Sequence, residues 1–122
     1  MPLAPASLAQ TPHLSDLAGH LAESVAGYYL NTIPGLNVTW FPQRDAEPEV
    51  DFVITIGDQR IPVEVKYRAR IDGHCDTFGL RAFIEKAAYN APFGILVTLN
   101  DMPPLDDPRI IALPLSSLLL LQ

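Results

Sequence analysis

The stretch EVDFVITIGDQRIPVEVKYR, residues 49–68, decides the fold because its hydrophobic pattern keeps a period of two on both sides of a turn. Val50, Phe52, Ile54 and Ile56 fall on one face of a first strand, and Ile61, Val63, Val65 and Tyr67 on one face of a second, as a pleated chain requires. The segment from Gly57 to Arg60 supplies the turn. Asp51, Glu64 and Lys66 take the remaining face, so the hairpin register determines whether they meet. A two-residue loop at Gly57-Asp58 pairs Ile56 with Gln59 and sets Asp51 across from Glu64. A four-residue loop pairs Ile56 with Ile61 and sets Asp51 across from Lys66, with Glu64 on the diagonal. Both keep the apolar sets together. A three-residue loop with regular pairing parts Phe52 from Val63, which burial disfavours.

Upstream, a helix is expected from an N-cap at Ser15 to about Leu30, with Leu14, Leu17, Leu21, Val25 and Tyr28 as its apolar stripe. Pro34 and Gly35 end it, and NVTWFP follows as a short strand closed by Pro42. Downstream of the loop IDGHCD, a second helix is expected from about Thr77 to Tyr89, presenting Leu80, Phe83, Ile84 and Ala87. GILVTL, residues 94–99, is continuously apolar. Such a run suits a strand covered on both faces and reached by a helical crossover. RIIAL adds a last strand, and PLSSLLLLQ a C-terminal helical turn. The element order αβββαβ with one further strand implies an α/β fold, a central mixed sheet flanked by helices.

The whole chain has 122 residues, 48% of them hydrophobic, and one cysteine, Cys75. One domain over residues 15–122 accommodates the pattern, and residues 1–14, with Pro2, Pro5 and Pro12, read as a flexible lead-in. A lone cysteine excludes an internal disulfide and a Cys-rich zinc cluster, and points to a reducing, cytoplasmic setting. The N-terminus has no signal-peptide pattern, and the Leu118–Leu121 run is too short to span a bilayer, so a soluble protein without membrane attachment is expected. Neither lysine follows a glycine, which rules out a Walker A sequence within the chain. A net charge of −6 argues against strong non-specific DNA binding. Arg60, Lys66, Arg68, Arg70, Arg81 and Lys86 nonetheless cluster in the middle of the chain.

Two carboxylates beside an ammonium group suit a hard divalent cation, because Mg²⁺ favours oxygen ligands, keeps several waters and commonly uses one or two carboxylates. The ion lowers the pKa of a bound water, and the lysine stabilises charge developing on a phosphoryl oxygen. Phosphodiester hydrolysis is the chemistry implied. A solvated salt-bridge cluster on an exposed sheet face is the simpler alternative on spacing alone. In the loop at Asp72, His74, Cys75 and Asp76, one His and one Cys fall short of a zinc set, and a polar loop is expected. Trp40 and Tyr67 are expected in the core.

Asp51, twelve residues and then Glu64-Val65-Lys66 resemble the signature of the PD-(D/E)XK nuclease superfamily, whose restriction-endonuclease-like core has the αβββαβ order. GHLAESV, the quoted hairpin and GLRAFIEK together resemble the C-terminal domain of unknown function that follows the AAA+ module in prokaryotic predicted ATPases. The likeness spans about Ser15 to Leu113 and is most specific in the hairpin. It implies that Asp51, Glu64 and the carbonyl of Val65 are ligands of Mg²⁺ or Mn²⁺, that Lys66 is the catalytic lysine, and that Glu23 of the first helix is an auxiliary acid. It also implies DNA as substrate and an ATPase module in cis or in trans as partner, and if DNA binds, Arg68, Arg70, Arg81 and Lys86, in the basic cluster near Lys66 and the second helix, are the expected contacts to it. Val50 stands where the signature has Pro, and the second helix lacks the Gln-x-x-x-Tyr element of RecB-like members. The alternative function is a catalytically inert, nuclease-fold interaction module of an ATPase.

Overall fold

The structure, a computed structural model, describes residues 15–40 and 50–120. The expected lead-in, Pro42, and the side chains of Ser15 and Trp40 lie outside what it describes. The elements are α1 (Ser15–Thr32), β1 (Asn37–Trp40), β2 (Phe52–Ile56), β3 (Gln59–Lys66), α2 (Phe78–Glu85), a 3₁₀ turn (Ala87–Tyr89), β4 (Gly94–Thr98), β5 (Ile110–Pro114) and α3 (Leu115–Leu118). The strands form one five-stranded sheet in the order β1-β2-β3-β4-β5. The β1–β2 and β2–β3 pairs are antiparallel, and the β3–β4 and β4–β5 pairs are parallel. This is the mixed sheet flanked by helices of a restriction-endonuclease-like core.

Turn chemistry selects the hairpin register. Gly57 has φ +61° and Asp58 has no positive φ, the pattern of a two-residue II′ turn with glycine first. Ile56 accordingly pairs with Gln59, Ile54 with Ile61 and Phe52 with Val63. Phe52, Ile54, Ile61 and Val63 are buried with Val97 beneath α1 and α3, and Val65 and Tyr67 pack against them. Burial pushes the Tyr67 hydroxyl pKa up. On the other face, α2 places Leu80 and Phe83 over Val53 and Leu96. The apolar run of β4 therefore feeds both layers, Leu96 one and Val97 the other.

Three expectations fail, each for a packing reason. Leu17, Leu21, Val25 and Tyr28 do not face the sheet; they are 50%, 41%, 38% and 77% exposed. Ala18, Ala22, Ala26 and Leu30 are the buried stripe. Around Gly27, α1 lies too close to the sheet for large side chains: a Cβ there would come within 2.6 Å of the Phe52 ring. Secondly, Val50 does not share a face with Phe52 but joins Val53 under α2, because the chain leaves the regular ladder at Asp51. Thirdly, the second helix stops at Glu85, with Lys86 extended at φ −82°, ψ 109°. That break brings Tyr89 back onto Phe83, with centroids 4.3 Å apart. Six residues of unbroken helix would put the two rings on different faces. Asn90 then closes the turn in the left-handed region at φ 51°, which Asn tolerates, and its amide donates to the Asp58 carbonyl.

The loop before β5 is held by a fork. Arg109 donates through Nε to Asp107 Oδ1 at 2.9 Å and through Nη2 to Asp107 Oδ2 at 2.7 Å, and Nη2 also meets Glu85 at 3.3 Å. The guanidinium holds the Asp107 carboxyl at about 2, below its ordinary 3.8. A lowered folded-state pKa gives stability that is complete above the unfolded value and disappears as pH falls through the folded one. Asp107→Asn is therefore expected to lower Tm near neutrality, with the gap to the wild type closing between about pH 4 and about pH 2. Arg109 is 40% exposed, so solvent screening limits the effect to about 1 kcal/mol. Thermal melts of both proteins across that range check this; a gap independent of pH contradicts it.

Candidate functional site

The regular β2–β3 pairing ends at Phe52 and Val63, and Asp51 steps out of it beside the same Val63. There the side chain replaces the backbone. The Asp51 N–H donates to the Val63 carbonyl at 3.1 Å, and the Val65 N–H donates to Asp51 Oδ2 at 2.8 Å. A short carboxylate that mimics a backbone acceptor is common where a ladder ends. Here it fixes the Asp51 carboxylate against the residue between Glu64 and Lys66.

β3 is also where the sheet changes from antiparallel to parallel, with Glu64 beside Leu96 and Lys66 beside Thr98. Pro62, Glu64 and Lys66 share the α2 face, since Pro62 lies with Leu80 and Ile84 around Gly94. That face is not the open polar surface of a solvated hairpin. Glu64 is 9% exposed and engaged in an interaction of its own, whereas Asp51 and Lys66 are half-buried. Burying a carboxylate is costly unless it is paired or bound, so its presence here calls for a cationic or hydrogen-bonding environment. Glu23 is half-buried on α1, the helix that covers the opposite face through Ala22 and Ala26. The structure thus gathers Asp51, Glu64, Val65 and Lys66 on neighbouring backbone positions, while Glu23 rides on the helix of the other layer.

Among the described residues, no group of three or more His, Cys, Asp or Glu side chains is placed to hold a metal ion. The oxygen groups on the neighbouring positions Asp51, Glu64 and Val65 are two carboxylates and a main-chain carbonyl. Hard oxygens, few in number, are a donor chemistry that suits Mg²⁺ or Mn²⁺, which retain water ligands, better than zinc.

Loop 68–77 is knitted by its own polar groups. Asp72 Oδ1 accepts the His74 and Cys75 N–H groups at 2.9 and 2.8 Å. These bonds, Cys75 first and then His74, draw the Asp72 pKa down. Arg68 Nη2 meets Asp76 Oδ1 at 2.9 Å, and Arg81 Nη2 donates to the His74 carbonyl at 2.7 Å. The acids of this loop are thus hydrogen-bond acceptors in a polar loop, as expected. The basic residues divide. Arg68 and Arg70 line an open cleft beyond β3, Arg81 braces the loop, and Lys86 lies 5.7 Å from the Tyr89 ring centroid at the far end of α2.

The opposite wall of the cleft is formed by Asn100, Asp101, Met102 and Pro103, which the sequence reading did not single out. A usable signal was present. These residues follow the carboxyl end of a strand expected to be parallel, where α/β sheets hold their ligands. No helix among the described residues is long and apolar enough to cross a membrane. Compared with known proteins, residues 18–118 match the family described as Domain of unknown function (DUF4143). No curated protein and no solved structure matches the chain.

Proposed function

The chain belongs to the DUF4143 family, and on that premise we propose that it is a metal-dependent phosphodiester hydrolase of PD-(D/E)XK type, acting on DNA as a module of an AAA+ ATPase. The observation that carries this reading is the 2.8 Å bond from the Val65 N–H to Asp51 Oδ2, which keeps one acid beside the Glu64-Val65-Lys66 run. Asp51, Glu64 and the Val65 carbonyl hold Mg²⁺ or Mn²⁺. The bound ion supplies Lewis acidity and an acidified water. Lys66 places its ammonium group two residues from Glu64 on the same strand face, where it stabilises negative charge on a phosphoryl oxygen. Thr98, fully buried beside Lys66 in the register, ties down the adjoining end of β4 through its hydroxyl bond to the Asn100 carbonyl. Arg68 and Arg70 face the strand leaving the site, and the ATPase module in cis or in trans delivers the DNA.

Calorimetric titration with Mn²⁺, followed by plasmid cleavage with and without the ATPase module, tests the reading. Binding of about one ion and ion-dependent nicking are expected. Absence of metal binding removes the hydrolase proposal.

A second reading, an inert nuclease-fold interaction module, draws on two observations. The net charge is −6, and Leu17, Leu21, Val25 and Tyr28 form an exposed apolar stripe on α1, the kind of surface that marks protein contacts. Metal binding without cleavage, even with the ATPase supplied, selects it.

A further inference from the structure

Beyond the carboxyl ends of β3 and β4 lies an open cleft of about 450 Å³. Its position is the one in which α/β sheets bind ligands: outside the ends of parallel strands, next to the strand where the sheet changes direction. Its volume lies in the range of small-molecule sites, which is enough for one nucleotide and too little for a duplex. We propose that this cleft receives a single nucleotide unit of a nucleic-acid strand, with the base inside and the phosphates at the mouth. The proposal rests on the hydrolase reading above for the polymer to which that unit belongs.

Each wall offers a different chemistry. Arg68 and Arg70 stand on the β3 side. Asp76 engages Arg68 through Nη2 alone, so the guanidinium is oriented with donors to spare. Arg70 is exposed and makes no hydrogen bond or ion pair among the described residues. Two guanidinium groups at a rim suit phosphate oxygens. Ile71 and Met102 belong to the apolar layer under α2 but are only partly buried, and their exposed edges provide contact for a flat heterocycle. Asn100 and Asp101 form the other wall. An Asn amide and an Asp carboxylate are the groups that meet the exocyclic amino groups of adenine and cytosine.

The walls are held in place. The buried Thr98 hydroxyl donates to the Asn100 carbonyl at 2.7 Å, and the Arg68 N–H to the Lys66 carbonyl at 3.0 Å. The backbone of both walls is thereby tied, and the Arg70 side chain is the main group left for binding to order. Asp101 also repels phosphate, so an anion alone gains less than a nucleotide whose base meets that carboxylate.

The test is amide-resolved NMR of the full chain titrated with dAMP, dCMP, TMP and inorganic phosphate, with Mn²⁺ line broadening as a separate arm. The purine and the cytidine nucleotide are expected to shift Arg70, Asn100, Asp101 and Met102. TMP, without an amino group, acts more weakly, and inorganic phosphate moves only the arginine side. With single-stranded oligonucleotides, Asp101→Asn should reduce the preference for dA over dT about tenfold with an unchanged salt slope. Arg70→Gln should reduce that slope by about 0.7. Nucleotides that leave the cleft signals unmoved, or that act no better than inorganic phosphate, overturn the proposal. Mn²⁺ broadening around Asp51 and Glu64 without cleft shifts rejects the cleft and keeps the hydrolase. Cleft shifts without broadening keep the nucleotide site and reject the metal centre.

Discussion

Glu64→Gln and Lys66→Ala are each expected to lower metal-dependent cleavage by at least about a hundredfold, for different reasons. Glu64 is buried under α2, and Gln preserves its volume, so the variant removes charge without opening a cavity. A neutral amide is a poor ligand for a hard cation, and Mn²⁺ affinity should fall together with turnover. Lys66 carries positive charge next to the proposed ion. Its removal relieves repulsion, so Lys66→Ala should bind Mn²⁺ at least as tightly as the wild type while losing the stabilisation of phosphoryl charge. Calorimetry and cleavage rates at saturating Mn²⁺ separate the two effects. Equal Mn²⁺ affinity in the wild type and Glu64→Gln would show that this carboxylate is not a ligand.

The second large effect concerns the contact between α1 and the sheet. A Cβ on Gly27 meets Phe52 Cε1 at 2.6 Å and Cζ at 2.7 Å, and Phe52 is 1% exposed, so its ring has no space in which to retreat. Overpacking of this kind costs about 1–3 kcal/mol. Gly to Ala within a helix gains up to about 1 kcal/mol through propensity. The clash dominates, and Gly27→Ala is expected to lower stability by about 1–2 kcal/mol. Phe52→Ala, which leaves a ring-sized void between the layers, should cost about 3–5 kcal/mol. Because the two residues touch, the changes should not add. Gly27→Ala should cost less in a Phe52→Leu background than in the wild type. Urea unfolding of the four proteins measures the coupling; strict additivity means that α1 sits further from the sheet than the Gly27 contact requires.

Strands, their succession along the chain and the hairpin carrying the acids were legible in the amino-acid sequence because they depend on local rules. Alternation from Phe52 to Ile56 and from Ile61 to Tyr67 signals pleated chain, and a turn glycine at position 57 admits a positive φ. The continuous apolar run at 94–99 requires cover on both faces. Periodicity left two registers open, and the backbone of Gly57 chose between them. The spacing of Asp51, Glu64 and Lys66 could thus be read as a candidate site before any coordinates, although not the role of the Asp51 carboxylate as acceptor for the Val65 N–H.

Tertiary structure decided what depends on the distance between layers. A helix with Leu17, Leu21 and Val25 on one side and Ala18, Ala22 and Ala26 on the other has two plausible inner faces by pattern. Hydrophobic content favours the first. Close approach at Gly27 and Phe52 imposes the second, because the gap there admits the methyl groups of Ala22 and Ala26, and an isobutyl group fits only near the helix end, at Leu30. The same holds for the break at Lys86, where stacking of Tyr89 on Phe83 outweighs continued helix, and for the cleft, whose walls come from residues about thirty positions apart. Sequence period reports which residues share a side; only the assembled layers determine which side is inside.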